Sequence, residues 1–191
     1  MVNRNLHRSI CEATPLSRRV AKHGEFAYGA GQVNPIRATN PGLVYDMGEL
    51  LYIRFLCHEG YNSSSLAVLF GSKSVNCSKF NRGIGYDDLN YPTMHLSLKS
   101  KQQTTTGVFQ RVVTNVGAAQ SVYNATIKAP KGVDITVKPM SLSFTSLNQK
   151  LSYRVVVRAK AILPRMQMVS GSLVWKSSRN TVRSPIVIYN P

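Results

Sequence analysis

The side chains able to do chemistry in this chain are few and scattered. The histidines are His7, His23, His58 and His95, and the acids are Glu12, Glu25, Asp46, Glu49, Glu59, Asp87, Asp88 and Asp134. Nucleophilic catalysis needs a serine or cysteine with a base within hydrogen-bond reach and an acid orienting that base. No G-x-S-x-G turn presents a serine in this way. His7 and Ser9 form an isolated pair with no third member and no oxyanion cradle. No residue is therefore assigned a catalytic role. Metal binding fares no better: no C-x-x-C spacing occurs, and Cys57 and His58, adjacent on a predicted helix, cannot both point at one ion. Asp87 and Asp88 follow the Gly85-Tyr86 turn and read as a turn or strand-entry cap. Without a G-x-x-x-x-G-K-[ST] phosphate loop, neither a metal nor a cofactor is expected.

The remaining reactive features concern covalent modification. Cys57 and Cys77 stand 20 residues apart across two predicted helices. A bridge between them would restrain that pair by roughly 3 kcal/mol in the chain-entropy model; one buried and one exposed thiol is the alternative. Cys11 is left without an assigned role. The N-x-S/T tripeptides at Asn62, Asn76 and Asn124 are candidate glycosylation sites, and with paired cysteines they favour a secretory history. The first 23 residues nevertheless lack the apolar core of a signal peptide, and no window approaches the ~18 apolar residues of a membrane span. Secretory features without a secretory address suggest a piece of something longer.

The formal charge of +16 comes from 24 basic against 8 acidic residues, while charged residues make up only 17% of the chain. The excess is a scarcity of acids. Arg111, Lys128, Lys138, Arg154, Arg158, Lys176 and Arg183 fall largely at outward positions of predicted strands, and only Arg4, Arg8, Arg18, Arg19 and Lys22 are concentrated. A solvated face is the plain reading. An acidic polysaccharide is an electrostatically admissible partner; no recognised motif of a nucleic-acid reader occurs, so neither nucleic acid nor membrane is expected as a partner.

Positioning elements can be read from periodicity. Residues 1–24 are an irregular basic arm, and Phe26 to Asp46, rich in glycine and proline, is a tight loop that needs a neighbour to pack on. Asp46 with Glu49 forms a capping-box pattern for a helix to about His58, stopped by Gly60. A shorter helix carries Leu66, Leu69 and Phe70 and ends at Gly71. Leu50, Ile53, Phe55, Leu66 and Phe70 are expected to face a larger body, leaving an apolar patch on the isolated chain.

From Asp88 onward the pattern is β. Gly107 to Pro139 reads as three strands, with Tyr123, Ala125 and Ile127, then Val133, Ile135 and Val137, on inward faces, and with turns at Asn115-Val116-Gly117 and Pro130-Lys131-Gly132. Leu142 and Phe144 continue it, followed by Leu151, Tyr153, Val155 and Val157. Gly171, Leu173 and Trp175 then pair by pattern with Ile186 and Ile188 across the turn Ser177 to Asn180. The chain is predicted to be mainly β, with about seven strands in a two-sheet sandwich and Asn124 on its polar face.

The segments FAYGAGQVNPIRATNPGLVYD, YIRFLCHEGY, DLNYPT, RVVTNVG, VYNATIKAPKGVDITVKPMSLSF and GSLVWKSSRNTVRSPIVI, in this order, closely resemble the C-terminal region of plant subtilisin-like serine proteases. The resemblance runs from about Ala13 to Pro191. It implies a division into the arm 1–24, a helical and loop remnant of the end of a subtilisin-like catalytic domain over 25–84, and a fibronectin type III-like β-sandwich over 85–191. It implies that Cys57 and Cys77 match a family cysteine pair, and that the protein is extracellular, in the cell wall or apoplast. The family's catalytic Asp, His and Ser and its oxyanion Asn lie upstream of the shared region, the Ser in a Gly-Thr-Ser-Met motif that should precede Ala13. No triad residue transfers to this sequence. The implied activity is thus non-catalytic support of folding and stability for a subtilisin-like catalytic domain, missing or supplied in trans. An autonomous wall module that holds acidic polysaccharide is the alternative.

Overall fold

Side-chain alternation decides which residues point inward, and the inward sets of two sheets meet in one core. The structure, a computed structural model, describes residues 25, 29–31, 34–71, 75–80, 86–87, 89–98, 104–160 and 167–191. The arm 1–24, with His7, His23 and Cys11, lies outside them.

Ten strands are present among the described residues: β1 (Leu43–Val44), β2 (Tyr86–Asp87), β3 (Met94–Ser97), β4 (Thr105–Asn115), β5 (Ser121–Lys128), β6 (Val133–Lys138), β7 (Ser141–Phe144), β8 (Lys150–Ala159), β9 (Gln167–Lys176) and β10 (Thr181–Asn190). One sheet runs β1-β4-β8-β6 with β2 also on β4, and the other runs β3-β10-β9-β5-β7. The sandwich is as expected, with more strands than seven. β1 and β2 have two residues each, too few for any alternation to register in the sequence.

The inward sets agree with the pattern. Tyr123, Val133, Val137, Leu142, Phe144, Tyr153, Val155, Val157, Leu173, Trp175, Ile186 and Ile188 are all buried in one cluster. Trp175 stacks edge-on against Tyr153, with ring centroids 5.1 Å apart. Truncating such an indole typically costs about 3–5 kcal/mol. Consecutive strands β4, β5 and β6 alternate between the sheets, so the stretch 107–139 spans the core instead of forming hairpins.

One expectation about this stretch is corrected, and its two turn glycines differ in role. Arg111, expected outward, is fully buried. It shares the inward phase of β4 with Phe109 and Val113, and its guanidinium finds carbonyls instead of water. Gly132 does take a left-handed φ of 82°, but Gly117 is needed for space instead: a Cβ there would sit 3.2 Å from Gly42 Cα and 3.3 Å from the Tyr123 hydroxyl.

The helices whose full range falls among the described residues are α1 (Pro35–Ala38), α2 (Glu49–His58) and α3 (Ser63–Leu69), with a 3-10 turn at Cys77–Lys79. α2 ends in a Schellman motif: Gly60, with φ 96°, donates to the Cys57 carbonyl at 3.2 Å, and Tyr61 donates to that of Leu56 at 3.0 Å. Its start differs from the capping box expected. Gly48 is the N-cap, without a side-chain hydrogen bond, and Glu49 is the first helical residue, where its charge meets the helix dipole. Asp46 is occupied elsewhere.

Candidate functional site

The most chemically organised region is the seam where residues 42–46 join the sandwich. The resemblance assigns these residues to the 25–84 segment; Leu43 and Val44 pair with Asn115 and Thr114 of β4, and Leu43 and Tyr45 belong to the sandwich core. The sandwich is the neighbour that the glycine-rich loop required. Gly42 (φ 75°) presents its carbonyl to the amides of Val116 and Gly117 at 2.9 and 3.1 Å. A side chain at Gly42 would collide with the Tyr123 hydroxyl at 2.6 Å. The Asn40 carbonyl accepts from Asn180 Nδ2 at 2.9 Å, tying the loop to the β9–β10 turn.

Polar side chains complete the seam. Asp46 accepts a 2.6 Å hydrogen bond from Thr114 Oγ1 and pairs with Lys150 at 3.4 Å. Asn90 stands in for a strand beside β4: its Oδ1 accepts from the Val112 amide at 2.9 Å, and its Nδ2 donates to the Val112 and Asp46 carbonyls at 2.7 and 2.9 Å. It therefore fills the edge of β4 between β2 and β1. Arg111 Nε donates to the Tyr91 carbonyl at 2.6 Å, and its amino groups donate to those of Gln110 and Thr93 at 3.0 and 3.3 Å. The guanidinium also lies 5.6 Å from the Phe109 ring centroid. Deeper in, the Tyr45 hydroxyl is 2.7 Å from that of Tyr153 and 2.8 Å from Ser184 Oγ. Burial raises the pKa of Tyr45 and pushes that of Tyr153 well above 10.0. These groups are hydrogen-bonded anchors; nothing poises them for proton transfer near neutrality.

Beyond the seam stands the helical hairpin. Cys57 and Cys77 are joined by a disulfide, with Cα atoms 5.3 Å apart. Ile53 and Leu66 are buried, but Phe55 and Phe70 are half-buried and Leu50 is 66% exposed. Val68 and Leu69 of α3 and Ile36 of α1 are exposed as well. The expected outward set is thus replaced in part: Ile53 and Leu66 serve the hairpin, while Ile36, Leu50, Val68 and Leu69 carry the open apolar surface. Val68 escaped the sequence reading because a helical stripe does not say which edge is covered, and Ile36 because its four-residue helix lies in a stretch that reads as a loop.

Candidate residues elsewhere stay apart. His58 closes α2, His95 lies on the outward face of β3 with its ring 6.5 Å from that of Tyr189, and Asp87 lies in β2. Among the described residues no cluster of three His, Cys, Asp or Glu could hold a metal. Asn62 and Asn76 are exposed and serve as N-caps, accepting from the Ser65 and Ser78 amides at 2.8 and 3.0 Å, while Asn124 is exposed on β5. No described helix is long and apolar enough to cross a membrane.

Residues 88–188 match the fibronectin type-III domain family. Over 95% of its length the chain is 59% identical to the subtilisin-like protease SBT4.14 of Arabidopsis thaliana, and over 93% it is 43% identical to SBT4.15 of the same plant. It spans 24% of the length of either relative. Among solved structures, the Vibrio cholerae VesB protease aligns with 51% of this chain and 29% of its own at a TM-score of 0.36 and 14% identity, too loose a likeness to bear on function. The sheet order and the match over residues 88–188 of 191 lead to one conclusion: this chain belongs to the fibronectin type-III domain family.

Proposed function

We propose that this chain is the non-catalytic C-terminal part of a plant subtilisin-like serine endopeptidase, whose sandwich holds a helical hairpin in place against a catalytic domain and supports that domain's folding and stability. The single observation behind the reading is the exposure of Ile36, Leu50, Val68 and Leu69 on helices seamed to a well-filled sandwich. An exposed apolar patch marks an interaction face, and three of these four side chains lie on α2 and α3, which contact one another. The similarity to subtilisin-like proteases over a quarter of their length supplies the partner's class. On this reading residues 25–84 close the catalytic domain, 85–191 with the inserted 42–46 form the accessory sandwich, and the chain cleaves no peptide alone. The location is extracellular, with glycans at Asn62, Asn76 and Asn124, and the disulfide suits that compartment.

The test is complementation in trans. The catalytic region of the 59%-identical relative is co-secreted with this chain, and complex formation and soluble protease yield are measured. Recovery of a complex that is lost with Leu50→Glu and Val68→Glu supports the proposal. A folded chain that never associates, beside a catalytic region that folds equally well without it, overturns it.

A further inference from the structure

The outer face of the β4-β8-β6 sheet carries a regular row of cations. Lys150, Arg154 and Arg158 recur every fourth residue along β8, on its outward phase, with β4 and β6 on either side. Four residues of strand advance about 13 Å, so the three lie on a nearly straight line about 27 Å long. All three are exposed. Lys138 of β6 is the register partner of Arg154, whose other partner is Gln110 of β4. Among the described residues that cross-strand row contains no acid. Like charges directly opposite on neighbouring strands destabilise a sheet, so the sequence keeps an unfavourable pair at the centre of the face. Asp134 opposite Arg158 and Asp46 on Lys150 sit at its ends.

We propose that this face binds a linear acidic polysaccharide of the polyuronate class, laid along β8 with its carboxylates on Arg154, Arg158 and Lys138. Evenly spaced cations on a straight strand suit a stiff chain that bears a carboxylate on each sugar. On β4, β8 and β6 the face presents Thr106, Gln110, Ser152, Thr136 and three valines between its charges and no aromatic ring. Along β8 it therefore offers no platform on which nucleic-acid bases would stack. The row is made of residues of β8 and β6, none of them on α1, α2 or α3, so its binding is tested apart from the docking proposed above.

The test uses the full chain and immobilised polygalacturonate at low salt, beside duplex DNA and a neutral glucan. Arg154→Ser with Arg158→Ser removes two charges from the row, and Lys128→Ser with Lys176→Ser removes two from the other sheet. The first pair is expected to weaken polygalacturonate binding at least tenfold and the second less than twofold, with thermal midpoints checked for both. Equal losses in the two variants would show attraction to net charge alone and overturn the site. Tighter binding to DNA than to polygalacturonate, or no binding of the unaltered chain, would overturn it too.

Discussion

The sandwich and the helical hairpin solve the burial problem differently. In the sandwich most of the large apolar side chains point inward and several of the polar ones that follow them in are met: Arg111 by three carbonyls, Tyr45 by Tyr153 and Ser184, Asn90 by the edge of β4. In the hairpin a disulfide does part of the holding, and Leu50, Val68 and Leu69 remain in solvent. A region whose core closes on itself is built to stand. One that keeps apolar side chains outside is built to be covered. The seam at residues 42–46 connects the two, because Leu43 and Tyr45 are core residues of the sandwich while α2 begins only at Glu49.

Arg111→Met should break the sandwich side of this contrast most severely. The substitution leaves the Tyr91, Thr93 and Gln110 carbonyls without their buried donors, at about 1–3 kcal/mol each where water cannot reach them. A loss of about 3 kcal/mol or more in urea unfolding is expected. A loss under 1 kcal/mol would mean that water already serves those carbonyls. Cys57→Ser probes the other side. Opening the 20-residue loop should cost about 3 kcal/mol in the chain-entropy model. The cost should fall on the hairpin alone: amide exchange should quicken over residues 49–77 and stay unchanged in β5, β8 and β9. An equal change in those strands would show that the two regions unfold as one and would dissolve the contrast.

How much of this could be read from the residues follows from the range of the forces involved. Strand phase is local, so the inward sets around Tyr123, Tyr153 and Trp175 were legible, and so was the turn at Gly132. Arg111 was misplaced because charge suggested solvent, although the phase set by Phe109 and Val113 already pointed it inward. Asp46 was misread as a helix cap because its actual partners, Thr114 and Lys150, are 68 and 104 residues away, and no local pattern reports them. Asn90 escaped notice for the same reason. The segments that carried the family resemblance, GLVYD, DLNYPT and RVVTNVG, turn out to supply the seam. Their residues lie between Gly42 and Gly117 and meet only after the sheets form.

Tyr153→Phe should have a smaller effect whose size depends on pH. At neutral pH it removes the hydrogen bond to Tyr45 and should cost about 1 kcal/mol. Burial raises the folded-state pKa of Tyr153 above 10.0, so the unfolded chain loses its phenolic proton first. The stabilisation is whole below pH 10 and declines as pH rises from there through the folded-state pKa. The unaltered protein should therefore lose stability steeply above pH 10, and Tyr153→Phe less steeply, so that the difference between them narrows in alkaline urea titrations. Parallel curves would mean that the pocket opens to water before the ring ionises.

The smallest effect on stability is expected from Leu50→Ser with Leu69→Ser, and it sharpens the contrast most. Leu50 and Leu69 are 66% and 64% exposed, so the change removes little buried area and should shift unfolding by no more than about 0.5 kcal/mol. If the hairpin surface is an uncovered interface, the same change should lower binding of a hydrophobic dye and reduce concentration-dependent association in sedimentation. A loss of stability above 2 kcal/mol would show that these side chains are already packed in solution, which would make the hairpin a finished structure like the sandwich.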